Sequence, residues 1–283
     1  MPALFGPGGN SLSFQKKYRS TLDAPRFVSE CGLDCYEYEA GQGISASPEM
    51  LRQIGENARK ESVRLSFHTP YFISLSSVEP EKRLKSIDYL FESANACRAL
   101  GADVMVVHTG SAAKISRELA MEYAAETLRM ADRMLEENGF SVTLGLETMG
   151  KQNQLGTLDE VLRLCSISER FAPVVDFGHM NAREQGLFFS EDDYKAVFDR
   201  ISQALGGSFA DRLHCHFSKI EFTEKGEKRH LTFEDTVFGP DYEPLMDAIA
   251  HLGVSPTIIS ESAGTQSEDA KTMKDRYLSA LGS

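Results

Sequence analysis

The sequence predicts an α/β protein of the (β/α)8 TIM-barrel class, one domain over residues 1–283, and three observations carry that prediction. Apolar runs alternate with amphipathic stretches eight times, and 283 residues shared among eight units leave about 35 each, the size of one strand, one helix and their loops. Barrels of this kind need about 250 residues, so the length suits one. Most of the apolar runs end in an imidazole or a carboxylate, where chance would leave an apolar residue or glycine. A doubly wound open sheet is disfavoured, because Gly6-Pro-Gly-Gly-Asn10 lacks the G-x-G-x-x-G spacing of its phosphate loop.

Taken in order, Ala3-Leu4-Phe5-Gly6 reads as a short strand and Pro7 to Asn10 as a turn. A largely helical region follows from about Leu12 to Cys31, interrupted at Pro25. Cys35-Tyr-Glu-Tyr-Glu39 alternates as a strand does, and Ser47 with Pro48 caps a helix running to about Lys60. Arg64 to His68 is the third strand; Glu79 to Leu100 is an amphipathic helix stopped by Gly101. Asp103 to His108 is a buried parallel strand, followed by a helix from about Ser116 to Asn138 that Gly139 ends. Val142 to Glu147 and Ala172 to Asp176 are the fifth and sixth strands, with a short helix from Leu158 to Cys165 between them. After a helix over Glu191 to Leu205 comes the strand Arg212 to Phe217, then a charged loop from Glu221 to Asp241. A helix over Pro244 to Leu252, the strand Thr257 to Glu261 and a last helix from about Ser267 to Leu281 complete the chain.

The composition, 41% hydrophobic and 25% charged, supplies a sizeable core without a low-complexity tract or a Pro-rich linker. A net charge of −12 excludes binding to nucleic acid through a broad basic surface, although carboxylates gathered round divalent ions would be neutralised locally. No apolar run approaches the roughly 20 residues needed to span a bilayer. The five cysteines are scattered, odd in number and without a C-x-x-C pair, which reads as reduced thiols. A soluble, cytoplasmic monomer is expected, with no membrane partner.

The chemistry concentrates at strand ends. His68, His108, Glu147, Asp176, His214 or His216, and Glu261 each close an apolar run. In a barrel those ends meet on one rim, where active sites are built. Buried together, Glu147, Asp176 and Glu261 repel one another strongly unless a cation joins them. Imidazole and carboxylate donors without thiolate suit Zn2+, Mn2+ or Fe2+. A central carboxylate can bridge two such ions for phosphodiester hydrolysis, and Glu147 is the expected bridge. His179, three residues beyond Asp176 in Asp176-Phe-Gly-His179, adds an imidazole where a loop would begin, and His230 in the charged loop can join it at a further ion. Alternation puts His214 and His216 on one strand face and Cys215, a core thiol, on the other.

Leu65-Ser-Phe-His-Thr-Pro-Tyr71, Val106-Val-His-Thr-Gly110, Gly145-Leu-Glu-Thr148, Val175-Asp-Phe-Gly-His179, His214 with Ser218-Lys219, and Ser260-Glu261 resemble endonuclease IV, the metal-dependent apurinic/apyrimidinic endonuclease. The resemblance covers nearly the whole length, in order and in spacing. It implies a site of two or three ions, usually zinc, that hydrolyses the phosphodiester 5′ to an abasic nucleotide in damaged double-stranded DNA, as in base excision repair. A metal-activated hydroxide is the nucleophile, and Glu147 and Glu261 are the catalytic carboxylates. By position, His68, His108 and Glu147 would hold one ion, Glu147, Asp176, His214 and Glu261 the second, and His179 and His230 the third. Tyr71, with Phe72 beside it, matches the aromatic that fills the abasic gap.

Two positions depart from that pattern. The third ion of the family also takes an Asp two residues before the last His, where this chain has Lys228; a protonated lysine cannot ligate, so Glu227 or His216 substitutes or the third ion is weak or absent. Around Gly41-Gln42 there is no arginine to serve as a second inserted side chain. The alternative is a sugar or sugar-phosphate isomerase or epimerase related to xylose isomerase, which needs one divalent ion; the number of histidines favours the site with more.

Overall fold

The computed structural model describes residues 2–282. The barrel strands are β1 (Leu4–Pro7), β2 (Cys35–Glu39), β3 (Arg64–His68), β4 (Val104–His108), β5 (Thr143–Glu147), β6 (Phe171–Asp176), β7 (His214–Phe217) and β10 (Thr257–Ser260). They form one parallel sheet in the order β1-β10-β7-β6-β5-β4-β3-β2. The two edge strands turn to face each other and nearly close the ring. Asp34 N–H donates to Phe5 O at 2.8 Å and Gly9 N–H to Glu37 O at 3.0 Å, and Gly8 bridges Glu37 in parallel. Gly6 permits this approach, since a Cβ there would lie 1.7 Å from Cys35 O.

The helices pack outside. They are α1 (Leu12–Lys17), α2 (Ala24–Glu30), α3 (Pro48–Glu61), α4 (Pro80–Leu100), α5 (Arg117–Glu137), α6 (Leu158–Cys165), α7 (Phe177–Arg183), α8 (Glu191–Leu205), α9 (Gly207–Asp211), α10 (Glu243–Leu252) and α11 (Gln266–Leu281). Their ends follow local chemistry. Ser47 Oγ accepts from Met50 N–H with Pro48 in the first turn of α3, Thr157 and Glu160 form a capping box on α6, and Gly101 ends α4 at φ 75°, a left-handed conformation glycine adopts without strain.

Three elements differ from the sequence expectation. The residues after Asp176 are not loop but α7, because the Asp176 side chain caps it by accepting His179 N–H at 2.7 Å. The charged stretch after β7 begins as an antiparallel hairpin, β8 (Ile220–Thr223) with β9 (Gly226–His230). Pro25 starts α2 rather than breaking a longer helix, its missing N–H costing nothing in the first turn. All five cysteines are unpaired, four of them buried. Among the described residues no helix is long and apolar enough to cross a membrane.

Candidate metal centre

The carboxyl ends of β3 to β7 and β10 converge on the Glu147 side chain, which has no exposed surface. His216 Nδ1 lies 3.1 Å from its Oε1, His108 Nε2 3.2 Å from its Oε2, His68 Nε2 3.4 Å from Oε2 and His179 Nδ1 3.4 Å from Oε1. Overlapping donor groups, each with its donor atoms within 4.8 Å of one another, cluster here, among them His68, His108 and Glu147; Glu147, Asp176, His216 and Glu261; His179, His230 and Glu261; and His68, His216 and Glu261. Six of the seven histidines in the chain therefore line the barrel interior or its rim.

Local hydrogen bonds aim the rings. His68 Nδ1 sits 3.0 Å from Thr69 O, and His179 Nδ1 is 3.0 Å from Thr148 O. With those protons on the backbone, each ring presents Nε2 to its surroundings: His68 to Glu147, His179 to Glu227 Oε2 at 3.5 Å. Ser218 Oγ fixes His230 through Nδ1 at 2.8 Å.

One expected ligand is displaced. His214 does not reach the rim: its Nε2 is 2.9 Å from Glu37 Oε2, one layer below. The side chain of β7 that meets Glu147 and Glu261 is His216, 3.2 Å from Glu261 Oε1. Register explains the exchange, because His216 pairs with Asp176, the last residue of β6, while His214 pairs with Val174. At the third group, Glu227 adds a second carboxylate facing His179 and His230, 3.5 and 4.0 Å away, beside Glu261, 3.9 Å from His230 Nδ1. Lys228 turns outward to Glu221 Oε1 at 2.5 Å, beside Arg229 at 2.6 Å from Glu221 Oε2.

Two acidic residues went unread in the sequence. Glu37 is fully buried, and Glu39 stands at the mouth beside Gly8, Gly41 and Tyr71. In Cys35-Tyr-Glu-Tyr-Glu39 the alternation suggests carboxylates facing water; here they point into the barrel while Tyr36 and Tyr38 pack beneath the helices. That β2 belongs to a parallel sheet, buried on both faces, was the signal available.

The donor set fits divalent cations on the structure's own terms. Glu147 Oε2, Asp176 Oδ2 and Glu39 Oε1 are buried without a hydrogen-bond partner among the described residues, a costly condition unless a cation supplies the missing partner. Burial opposes the Glu147 charge, yet His108, His179, His216 and His68 together hold its carboxyl well below the usual range. Burial would expel the His68 proton, but Glu39 and Glu147 outweigh it and pull the group up to about 10. Glu261 goes the other way: burial, reinforced by Asp176 and Glu147, pushes its carboxyl well up.

The centre opens into a cleft of about 450 Å³ whose further walls include Met149, Lys151, Gln154 and Tyr71. Tyr71 is 58% and Phe72 49% exposed. The Tyr71 ring stacks on His108 with centroids 5.3 Å apart, while Phe72 packs edge-on against Tyr89. Arg183, almost wholly buried, ties down the loop that carries Lys151: its guanidinium donates to the carbonyls of Met149, Lys151, Gln152 and Gln154 at 2.7 to 3.3 Å.

Residues 25–277 match the family described as xylose isomerase-like TIM barrel. An uncharacterized protein of Methanocaldococcus jannaschii is 27% identical over 271 residues, 96% of each chain. The probable endonuclease 4 of Mycoplasma genitalium is 29% identical over 207 residues, 71% of this chain and 67% of that one. Among solved structures, a D-tagatose 3-epimerase-like protein superimposes with a TM-score of 0.74 at 17% identity over 98% of both chains. Endonuclease IV from Thermus thermophilus does so with 0.65 at 17% identity over 99% of both. At such identities the two structures attest the fold.

Proposed function

Because the chain belongs to the xylose isomerase-like TIM barrel family, we propose that it is a metal-dependent endonuclease cutting the phosphodiester 5′ to abasic sites in double-stranded DNA. One observation carries the reading: nitrogen donors exceed what a single ion can use. The group of Glu147, Asp176, His216 and Glu261 would hold one ion by itself, yet His68 and His108 flank it on one side and His179, His230 and Glu227 on the other. Two or three ions, Zn2+ or else Mn2+ or Fe2+, occupy such a set. Endonuclease 4 relatives such as that of M. genitalium support the DNA substrate.

When bound, the ions activate a water and neutralise charge building on the phosphate oxygens. The protein does the rest. Glu147, common to two donor groups, keeps them at one spacing. Glu261, 3.2 Å from His216, completes the four-donor group at the cleft as a carboxylate ligand. Lys151 adds a fixed positive charge to the cleft wall, which orients an anionic backbone without reading its sequence. Tyr71, on the cleft wall, with exposed Phe72 next in the chain, supplies flat apolar surface for the gap left by a missing base.

A second reading has its own observation. Glu39, pushed by burial up to about 7, is a carboxyl suited to proton transfer at neutral pH, as sugar isomerisation or epimerisation at a single ion requires. One experiment separates the two: elemental analysis of the purified protein, with incision of an abasic duplex by the same preparation. Two or three ions per chain with incision leaving a 3′-hydroxyl is the expected outcome. A single ion, no incision and interconversion of ketoses would establish the second reading instead.

A further inference from the structure

The rings at the centre are oriented by two different devices. His68 and His179 place Nδ1 against backbone carbonyls, so Nε2 is their free nitrogen. His216 is reversed: its Nδ1 faces Glu147 and Glu261, and its Nε2 lies 2.8 Å from Glu37 Oε1. Apart from each other, those two atoms have no polar partner among the described residues. The partner of the ring is thus a carboxylate from another strand across the barrel, with no exposed surface.

Glu37 is itself fully engaged. Its Oε2 accepts from Ser66 Oγ at 2.7 Å and meets His214 Nε2 at 2.9 Å, and its Oε1 is left for His216. Burial works against its charge, and His216 and His214 overcome that cost. A buried carboxylate is expensive and a well-packed apolar residue would serve a barrel interior better. Its presence is explained by what it does to the ring above it.

We propose that Glu37 is a positioning residue of the metal centre: it holds the His216 proton on Nε2 and so presents Nδ1, lone pair outward, to the ion shared with Glu147, Asp176 and Glu261. The placement rests on reading the rim as a metal centre. His214 and Ser66 act one step further back, fixing the other oxygen of Glu37 so that Oε1 stays turned to His216. A carboxylate behind a ligating imidazole also raises its basicity, and losing such a partner costs about 10- to 100-fold in metal affinity.

The test compares wild type with Glu37→Gln, which preserves size and burial while removing the charge. Both are stripped of metal, and zinc affinity is read by competition with a chromophoric chelator, alongside melting temperature with and without zinc. The expected result is a variant that melts with the wild type when metal-free, binds zinc about 10- to 100-fold more weakly at one site, and gains less from added zinc. Unchanged zinc affinity overturns the proposal, and so does a loss of metal-free stability with the zinc shift intact, which marks Glu37 as a packing element only. Should Glu37→Gln not fold, 15N shifts of the His216 ring in zinc-loaded wild type decide directly: a proton on Nε2 and the ion at Nδ1 support the proposal, the reverse overturns it. Failure of wild type to take up zinc at all brings down the metal-centre reading itself, a result distinct from these.

Discussion

Replacing Glu147 with Gln tests the centre where its donors converge. The carboxylate is within 3.4 Å of four imidazoles and belongs to two donor groups at once. The substitution keeps the shape, removes the charge and turns one acceptor oxygen into an NH2 that cannot ligate. On the proposed reading, two ions would lose a shared ligand in one step. Bound ions contribute several kcal/mol of transition-state charge stabilisation, and about 1.4 kcal/mol is a factor of ten, so turnover should fall on the order of 10³-fold. Incision of a labelled abasic duplex measures the rate, and elemental analysis of the same sample measures the metal; both should drop together. An active, fully metallated variant refutes the bridging role. Wild-type metal content with lost activity would assign Glu147 to proton chemistry instead.

The third group gives a paired prediction: Glu227→Ala should lower bound metal and incision, whereas Lys228→Ala, which removes one ion pair from a Glu221 that Arg229 still holds, should leave both unchanged; the opposite pattern would restore Lys228 as the decisive position. Metal uptake should also depend on pH. His68 in the metal-free protein is pulled up to about 10, so at neutral pH its proton must leave before Nε2 can ligate, and zinc affinity should rise with pH toward that value; calorimetry in buffers of different ionisation enthalpy reads the released protons, and an affinity flat in pH would contradict it. Arg183→Met should cost about 2 kcal/mol in denaturant unfolding, since four carbonyls of the loop over 149–154 lose a bond from its guanidinium and only those of Gln152 and Gln154 keep Arg117 as a side-chain donor, with KM for the duplex rising as Lys151 loses its place; unchanged stability would refute the anchoring role.

Much of this architecture was legible beforehand, because a barrel strand is a short apolar run buried on both faces and its last residue sits on the rim. His68, His108, Glu147 and Asp176 are read correctly as strand ends on that basis alone. What alternation cannot report is height within the barrel. His214 and His216 share a face, and only the stagger between β6 and β7 decides which reaches the rim. The hairpin of β8 and β9 was hidden because a solvent-facing pair of strands built from Glu, Lys and Arg resembles a charged loop. Its bulge near Glu221 and Phe222 offsets the register, and Glu227 is the residue that faces the centre. Glu37 and Glu39 escaped notice since charged side chains in an alternating strand ordinarily face solvent.

The donors are strung along the chain from residue 68 to residue 261, and the final strand closes against the first. A polypeptide still emerging from the ribosome lacks Glu261, and until β10 is made β1 has no neighbour on that side. The four-donor group therefore comes into being only once β10 is made, whereas His68, His108 and Glu147 are all present as soon as β5 has been synthesised, so the donor groups become complete in succession.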